Sequence, residues 1–294
     1  MKTMRKIRIA AALTALLLLC GCAVGDFQIQ PVVTVNPYAG KVQAESGYGT
    51  KIWVKKYEEI PVNPLRETIV SDGAEITDEN GVSYDVRRGI DVSEHQGQID
   101  WSAMGEAEDR PDFVILRAGY RGYGAEGKLC IDTWFHENVR GARENGFPMG
   151  VYFFSQATSE AEALEEAEFL LFLLTAYSPE VFSFPIFFDW EDISGEKART
   201  DGVDGETMTK CALAFCERME AAGYTVGIYA YRSLAYYRYD LSAIAEYPLW
   251  IGALGNCPDF YYDFDIWQRS AVGVVQGIEG NVDLDMIFIP RGTA

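Results

Sequence analysis

The sequence predicts an α/β fold, an irregular TIM-like (β/α) barrel with eight strands and fewer than eight helices. Short apolar runs with strand character recur at close spacing from Arg88 to Ile289. Helical patterns lie between several of them. In the last third the connections are rich in Gly, Pro and polar residues and leave no room for a good helix.

The eight strand-like runs are Arg88–Ser93, Phe113–Tyr120, Met149–Ser155, Phe184–Glu191, Thr225–Tyr231, Pro248–Leu254, Phe264–Gln268 and Val282–Ile289. Eight is the number that closes a small barrel. The first helix is expected over Asp132–Asn145, where Trp134, Phe135, Val139 and Ala142 supply an apolar face. A second is expected over Ser159–Tyr177, with Ser159 as N-cap and Glu162 three residues on, the spacing of a capping box. A third covers Glu206–Ala222 and stops at Gly223. A weaker fourth lies in Ser233–Ala245. Residues 255–263 and 269–281 connect strands without a helix, which suggests a hairpin-like return at the end of the barrel.

Ahead of the barrel the chain reads differently. Lys2, Arg5, Lys6 and Arg8 precede an apolar stretch from Ile9 to Leu19, too short to span a bilayer and suited to a signal peptide. Leu19-Cys20-Gly21-Cys22 resembles a bacterial lipobox in which the small Gly21 precedes the lipidated Cys22. Residues 1–22 are therefore expected to be a lipoprotein signal, 23–86 a tether or small accessory segment, and 87–294 the catalytic barrel. Pro31, Pro37, Pro61 and Pro64 interrupt the middle segment, with short strands expected near Lys51–Lys56 and Val82–Val86. As a flexible coil it would reach about 45 Å. These features imply export, with a lipid anchor on the outer face of a bacterial cytoplasmic membrane.

The formal net charge of −19 argues against nucleic acid as a partner, because phosphate contacts need Lys and Arg clusters. Four cysteines follow the signal: Cys130, Cys211, Cys216 and Cys257. Cys211 and Cys216, i and i+5 on a helix, stand about 7.5 Å apart along its axis and are poor partners for each other. Buried free thiols are expected. Two histidines in separate elements give no metal-ligand cluster, and there is no Gly-x-Ser-x-Gly elbow. No cofactor is implied, and a monomer is expected.

The most telling stretch is Phe184-Pro185-Ile186-Phe187-Phe188-Asp189-Trp190-Glu191. Alternate side chains of a strand share a face, so Asp189 and Glu191 point together from the end of an apolar strand. Buried charges are costly, and two crowded carboxyls split their pKa values as acid/base chemistry on a sugar bond requires. Barrel enzymes carry reactive groups at the C-terminal ends of their strands. Applied here, that rule adds Asp91 from the first strand, Arg117 from the second, Tyr152 and Phe154 from the third, Trp267-Gln268 from the seventh and Asp283 from the eighth. His95 reads as structural or peripheral, and Asp285 as structural.

These pieces resemble the glycoside hydrolase family 25 lysozymes, the N-acetylmuramidases of Chalaropsis type. The matching segments are Gly89-Ile90-Asp91-Val92-Ser93, Gln96-Gly97, Ile99-Asp100-Trp101 and Arg117-Ala118-Gly119-Tyr120. Gly150-Val151-Tyr152-Phe153-Phe154, Phe188-Asp189-Trp190-Glu191, Trp267-Gln268 and Gly280-Asn281-Val282-Asp283-Leu284-Asp285 continue the series in order. The resemblance runs from about Arg88 to Phe288 and leaves out residues 23–86. It implies cleavage of the β-1,4 bond between N-acetylmuramic acid and N-acetylglucosamine in peptidoglycan glycan strands. By position it makes Glu191 the general acid and Asp189 the second catalytic carboxylate, with Asp91 and Asp283 as further acids of the groove. Tyr152, Trp190 and Trp267 are expected as sugar platforms and Arg117 as a binding residue. Phe154 stands where many members carry His, and no wall-binding repeats follow the barrel. A glycosidase acting on chitin or another wall polymer would keep the same acids. A non-catalytic wall-binding lipoprotein on a degenerate barrel would not need a carboxylate pair.

Overall fold

The computed structural model describes residues 36–292 apart from 48, 72 and 194–196. The signal peptide, Cys22 and the first part of the expected tether lie outside the described residues.

Eight strands close a barrel: β4 (Ser83–Val92), β5 (Phe113–Arg121), β7 (Met149–Ser155), β8 (Ile186–Trp190), β9 (Val226–Tyr231), β10 (Leu249–Gly252), β11 (Ile266–Gly273) and β12 (Val282–Pro290). Neighbours are parallel from β4 to β11. The closing strand β12 is antiparallel to both β11 and β4. This is the return at the end of the barrel, and its cause is the short link over residues 274–281, which cannot hold a crossover helix. Because β12 runs backwards, its first residues lie level with the last residues of β4: Asp283 pairs with Asp91.

Four shorter strands among the described residues precede or branch from the barrel. β1 (Lys41–Glu45) and β2 (Lys51–Lys55) form an antiparallel ribbon, β3 (Ile76–Thr77) extends β4, and β6 (Leu129–Ile131) folds back on β5. The helices among the described residues are α1 (Trp101–Glu106), α2 (Phe135–Glu144), α3 (Glu160–Leu174), α4 (Gly205–Glu220), α5 (Arg232–Tyr237) and α6 (Leu241–Ile244). None is long and apolar enough to cross a membrane.

The long helices begin where their caps stand. The Ser159 hydroxyl accepts the Glu162 N–H that opens α3, at 3.4 Å. The Glu162 carboxylate does not return the bond to Ser159; it takes the Thr158 N–H at 2.7 Å instead, so the box is shifted by one residue. Asp204 caps α4 through the Thr207 N–H at 2.8 Å, and the chain leaves that helix through Gly223 at φ 90°. The weak pattern at 233–245 divides into α5 and α6, because the Asp240 N–H turns away to the Thr209 hydroxyl on α4. Sequence reading missed α1, a helix of 6 residues capped by Asp100.

Residues 38–86 are not a free tether. They form one compact unit with the barrel. Val54, Leu65, Val70, Ile76 and Tyr84 join its hydrophobic core, and Asn63 donates to the Pro258 and Phe260 carbonyls at 2.7 and 3.0 Å. The many prolines break helical periodicity without preventing burial. Only the part before Tyr38 retains the tether reading, and nearly all of it lies outside the described residues. Cys211 and Cys216 are buried free thiols, and Cys130 and Cys257 are half-buried and free.

The barrel strands are buried on both faces, as parallel strands under helices must be. Their outward residues pack against the helices in one large core. Their inward residues form a second, separate cluster of Phe113, Ile115, Tyr152, Phe187, Tyr229, Trp250 and Ile266. Gly89 and Gly227 make space for it: a Cβ on either would meet the ring of Phe113 at 2.2 Å or Phe187 at 2.5 Å. This aromatic plug fills the barrel's lower half. Above it the inward positions become polar.

Candidate active site

The polar layer begins where the plug ends, at the C-terminal ends of the parallel strands. β8 carries Phe187 inward below and Asp189 inward above, with Glu191 one residue beyond the strand. On β4 the inward sequence is Gly89 then Asp91, and on β12 it is Asp283 then Asp285 going down. Five carboxyl groups thus gather at one mouth. Asp91, Asp189 and Asp285 are buried, whereas Glu191 and Asp283 are half-exposed at the rim.

The Asp189 and Glu191 carboxyls are in hydrogen-bond contact. Their backbone positions are about 6.6 Å apart, so the longer Glu191 side chain folds back over Asp189. Burial first, and then the Glu191 charge, push Asp189 well above the ordinary carboxylate range, while Arg117 pulls the other way. Burial and the charge of Asp283 raise Glu191 to about 7. Asp189 Oδ1 is buried without a hydrogen-bond partner. Two anions in contact cannot both stay ionised in such a site, so one proton is shared between them. In the free site Asp189 is the more deeply buried of the two.

Asp91 and Asp285 form a second contact. Gln268 Nε2 donates to Asp91 Oδ2 at 2.9 Å, and Trp250 Nε1 donates to Asp285 Oδ1 at 2.8 Å. The Tyr229 hydroxyl donates to Gln268 Oε1 at 2.7 Å, which orients the amide with its NH2 toward Asp91. Burial, followed by the charges of Asp285 and Asp283, raises Asp91 well above its usual range. Burial raises Asp285 to about 8 against the opposing Trp250 bond, and raises Asp283 to about 6.

Among the described residues, the cation whose charge bears on Asp189 is Arg117. Arg117 is buried at the end of β5, where Nε meets Asp132 at 2.8 Å and Nη2 meets Glu94 at 3.0 Å. Those partners commit much of its fork, so it acts on the site chiefly through its field. The Gln156 side chain, fully buried, holds the backbone from which Glu191 projects. Its Nε2 donates to the Glu191 carbonyl at 2.8 Å, and its Oε1 accepts from the Thr200 hydroxyl at 3.1 Å.

The expected aromatic platforms need correction. Trp190 and Trp267 point outward from their strands and are 0% exposed. Trp190 Nε1 donates to the Ala157 carbonyl at 3.0 Å and Trp267 Nε1 to the Ala253 carbonyl at 2.7 Å. Both are core residues with no ring face for a sugar. The alternation that turns Asp189 and Glu191 inward turns Trp190 outward. Tyr152 does point inward, yet its ring packs edge-on against Trp250 at 6.0 Å in the plug. Its hydroxyl feels Asp91, Arg117 and Asp189, so it lies under the acids and offers no platform. Among the described residues, the half-exposed aromatics on the inner cluster are Phe154 on β7, Tyr231 on β9 and Phe184, which stacks on Phe113 in the plug. His95 stands exposed on a single turn capped by Ser93, outside the cluster.

Tyr229, Trp250 and Gln156 were the contributors that sequence reading did not name; Gln268 was placed at a strand end without a role, and Asp285 was read as structural. Period-2 alternation could have paired Gln268 with Ile266 on the inner face. A strand apolar on both faces, however, does not reveal which face is inner.

Comparison with known proteins gives a consistent picture. The profile described as glycosyl hydrolases family 25 matches residues 90–278. The chain is 27% identical over 220 residues to the uncharacterized protein YegX of Escherichia coli K12, covering 69% of this chain and 70% of that protein. It is 25% identical over 200 residues to the autolytic lysozyme of Clostridium acetobutylicum, covering 67% of this chain and 55% of the other. Among solved structures, the modular autolysin LytC of Streptococcus pneumoniae, in complex with a synthetic peptidoglycan ligand, superposes with a TM-score of 0.59 at 27% identity. That match covers 84% of this chain and 56% of LytC, so the present chain spans little more than half of that protein.

Proposed function

Since the chain belongs to glycosyl hydrolase family 25 and is a glycoside hydrolase of lysozyme type, we propose that it cleaves the β-1,4 bond between N-acetylmuramic acid and N-acetylglucosamine in peptidoglycan. The observation that carries this reading is the contact between Asp189 and Glu191 at the barrel mouth. The peptidoglycan ligand of LytC and the autolytic lysozyme of Clostridium acetobutylicum support the substrate class.

In this reading the reactive arrangement has the shared proton on Glu191. Glu191 is the half-exposed member of the pair and delivers that proton to the leaving oxygen. Asp189, left anionic, faces the positive charge that develops on the sugar. Carboxyls in direct contact are closer than the ~5–5.5 Å of a retaining pair or the ~6.5–9.5 Å of an inverting pair. They cannot flank the ring from opposite sides. That supports attack by the substrate's own N-acetyl group, with Asp189 orienting its N–H and the configuration retained. Asp91 and Asp283 accept hydrogen bonds from sugar hydroxyls, and Phe154 and Tyr231 offer apolar surface to sugar faces.

Digestion of purified peptidoglycan tests the proposal. Wild type should release reducing N-acetylmuramic acid, and Glu191→Gln should release almost none. Reducing N-acetylglucosamine from the wild type would reassign the bond, and activity on chitin alone would reassign the polymer. For localisation we propose export and a lipid on Cys22, with the enzyme acting as a monomer at the outer face of the membrane. Labelling with a lipid precursor that persists in Cys22→Ala would overturn the anchor.

A further inference from the structure

The Asp91–Asp285 contact is unlike an incidental crowding of acids, because a frame is built around it. Trp250 Nε1 holds one oxygen of Asp285 at 2.8 Å, while the other, Oδ2, is buried and meets no donor. The group in hydrogen-bond contact with this carboxyl is Asp91. Asp91 in turn is gripped by Gln268 at 2.9 Å, whose amide is oriented by Tyr229 at 2.7 Å. Two strands, β4 and β12, supply the acids, and three others, β9, β10 and β11, supply the frame. The other titratable groups facing Asp91 are Asp283, Asp189, Tyr152 and Tyr229, all acids or phenols. Nothing among them would stabilise a second full negative charge on the pair.

We propose that Asp285 is a positioning residue for Asp91: the two carboxyls share one proton inside the Trp250–Gln268–Tyr229 frame, and this fixes the face that Asp91 turns to the mouth. The pair then carries a single negative charge whichever oxygen the proton rides on. Fixing Asp91 in advance removes a reorganisation that would otherwise accompany the reaction. The kinetic consequence rests on the glycosidase reading, whereas the shared proton does not.

The experiment compares the full chain with Asp285→Ala and Asp285→Asn. Asparagine can still accept from Trp250 and can place an N–H against Asp91, so it keeps one hydrogen and one charge in the pair. On peptidoglycan, Asp285→Ala is expected to lose about 10- to 100-fold in kcat with KM changed less than about 3-fold, in line with a lost buried hydrogen bond. Asp285→Asn is expected to recover activity to within about 3-fold of wild type. An Asp285→Asn protein that folds but is more than about 10-fold impaired overturns the proposal, and so does a fully active Asp285→Ala. Should Asp285→Ala fail to fold, the asparagine variant still decides. Infrared difference spectra of wild type against Asp285→Asn at neutral pH give a readout without substrate. A protonated carboxylic band present in wild type and lost in the variant is expected; no such band sinks the idea. Wild type inert on peptidoglycan but showing the band would overturn the proposed function and leave the shared proton standing.

Discussion

Two carboxyl pairs sit within one barrel mouth, and they are built in opposite ways. Asp189 stands on β8 and Glu191 one residue beyond it, and among the described residues Asp189 Oδ1, like Asp285 Oδ2, meets no donor. Asp91 and Asp285 come from two antiparallel strands, each gripped by an N–H from a third and fourth strand. Burial raises all four. What differs is the freedom of the proton. A pair on which no described residue fixes a donor can pass its proton to whichever oxygen the substrate favours. A pair held from both ends keeps its geometry whatever arrives. On the proposed reading the same residue type does two jobs, set by the number of fixed hydrogen bonds around it.

The largest expected effect attacks the mobile pair. Glu191→Gln removes the transferable proton while keeping the side chain's shape. A loss in kcat of about 10²–10⁴-fold is expected at every pH, the usual contribution of general acid–base catalysis. Initial rates of reducing-end release measure it. A loss below 10-fold would mean that the proton comes from elsewhere and that the two pairs do not differ as described.

Asp91→Asn, in the held pair, should cost less. The frame survives, because Gln268 and Trp250 remain, but the negative charge facing the sugar is weakened. A drop of about 10- to 100-fold in kcat/KM is expected, the worth of one or two charged hydrogen bonds. Equal losses in Asp91→Asn and Glu191→Gln would erase the contrast between the pairs.

That contrast was only half legible in the sequence. Asp189 and Glu191 stood out because an apolar strand ending in two acids is a local pattern that period 2 converts into a shared face. The eight strands and the absent late helices were legible for the same reason, being properties of short windows. The frame around Asp91 was not, since Tyr229, Trp250, Gln268 and Asp285 come from four strands and meet only after the barrel closes. Asp285 also sits in Asn-Val-Asp-Leu-Asp, where alternation puts both acids on one face yet cannot say that the second is 1% exposed. Trp190 and Trp267 mislead for a related reason. Aromatics beside acids suggest sugar platforms, but alternation applied strictly to β8 already turns Trp190 away from Asp189. The residues before Gly89 misled through composition: proline-rich chain without helical period can still bury Val54, Leu65 and Val70.

A smaller effect concerns stability and pH. The carboxyl of Glu191 rises from its ordinary 4.5 to about 7 on folding. Between those values the folded protein holds a proton that the unfolded chain has released, so stability falls as pH rises through this window. The fully expressed shift would be worth about 3 kcal/mol; proton sharing with Asp189 and exposure at the rim reduce this to about 1–2 kcal/mol. Glutamine carries no such cost. Glu191→Gln should therefore melt a few degrees above wild type at pH 8 and close to it at pH 4.5. Thermal melts across that range check the sign. A variant less stable than wild type at pH 8 would mean that the ionised Glu191 is well compensated in the folded site.

The smallest expected effect probes the held pair at its outermost member. The Tyr229 hydroxyl touches neither acid. It donates to Gln268 Oε1 and thereby decides which end of the amide meets Asp91. Tyr229→Phe leaves the ring packed against Trp250, 4.7 Å away between centroids, so the aromatic plug is preserved. It removes the hydroxyl that holds Gln268 Oε1 and so the hydrogen bond that favours the amide's present sense. With Asp91 anionic, the NH2 still favours facing it, so most molecules keep the arrangement. The expected loss is about 2- to 5-fold in kcat, or ~0.5–1 kcal/mol, the net value of one neutral hydrogen bond. Combined with Asp285→Ala, the loss should be less than the product of the two single losses, because both variants loosen the same carboxylate. A double-mutant cycle on kcat measures this, and strictly multiplicative losses would show that Tyr229 and Asp285 do not act through Asp91.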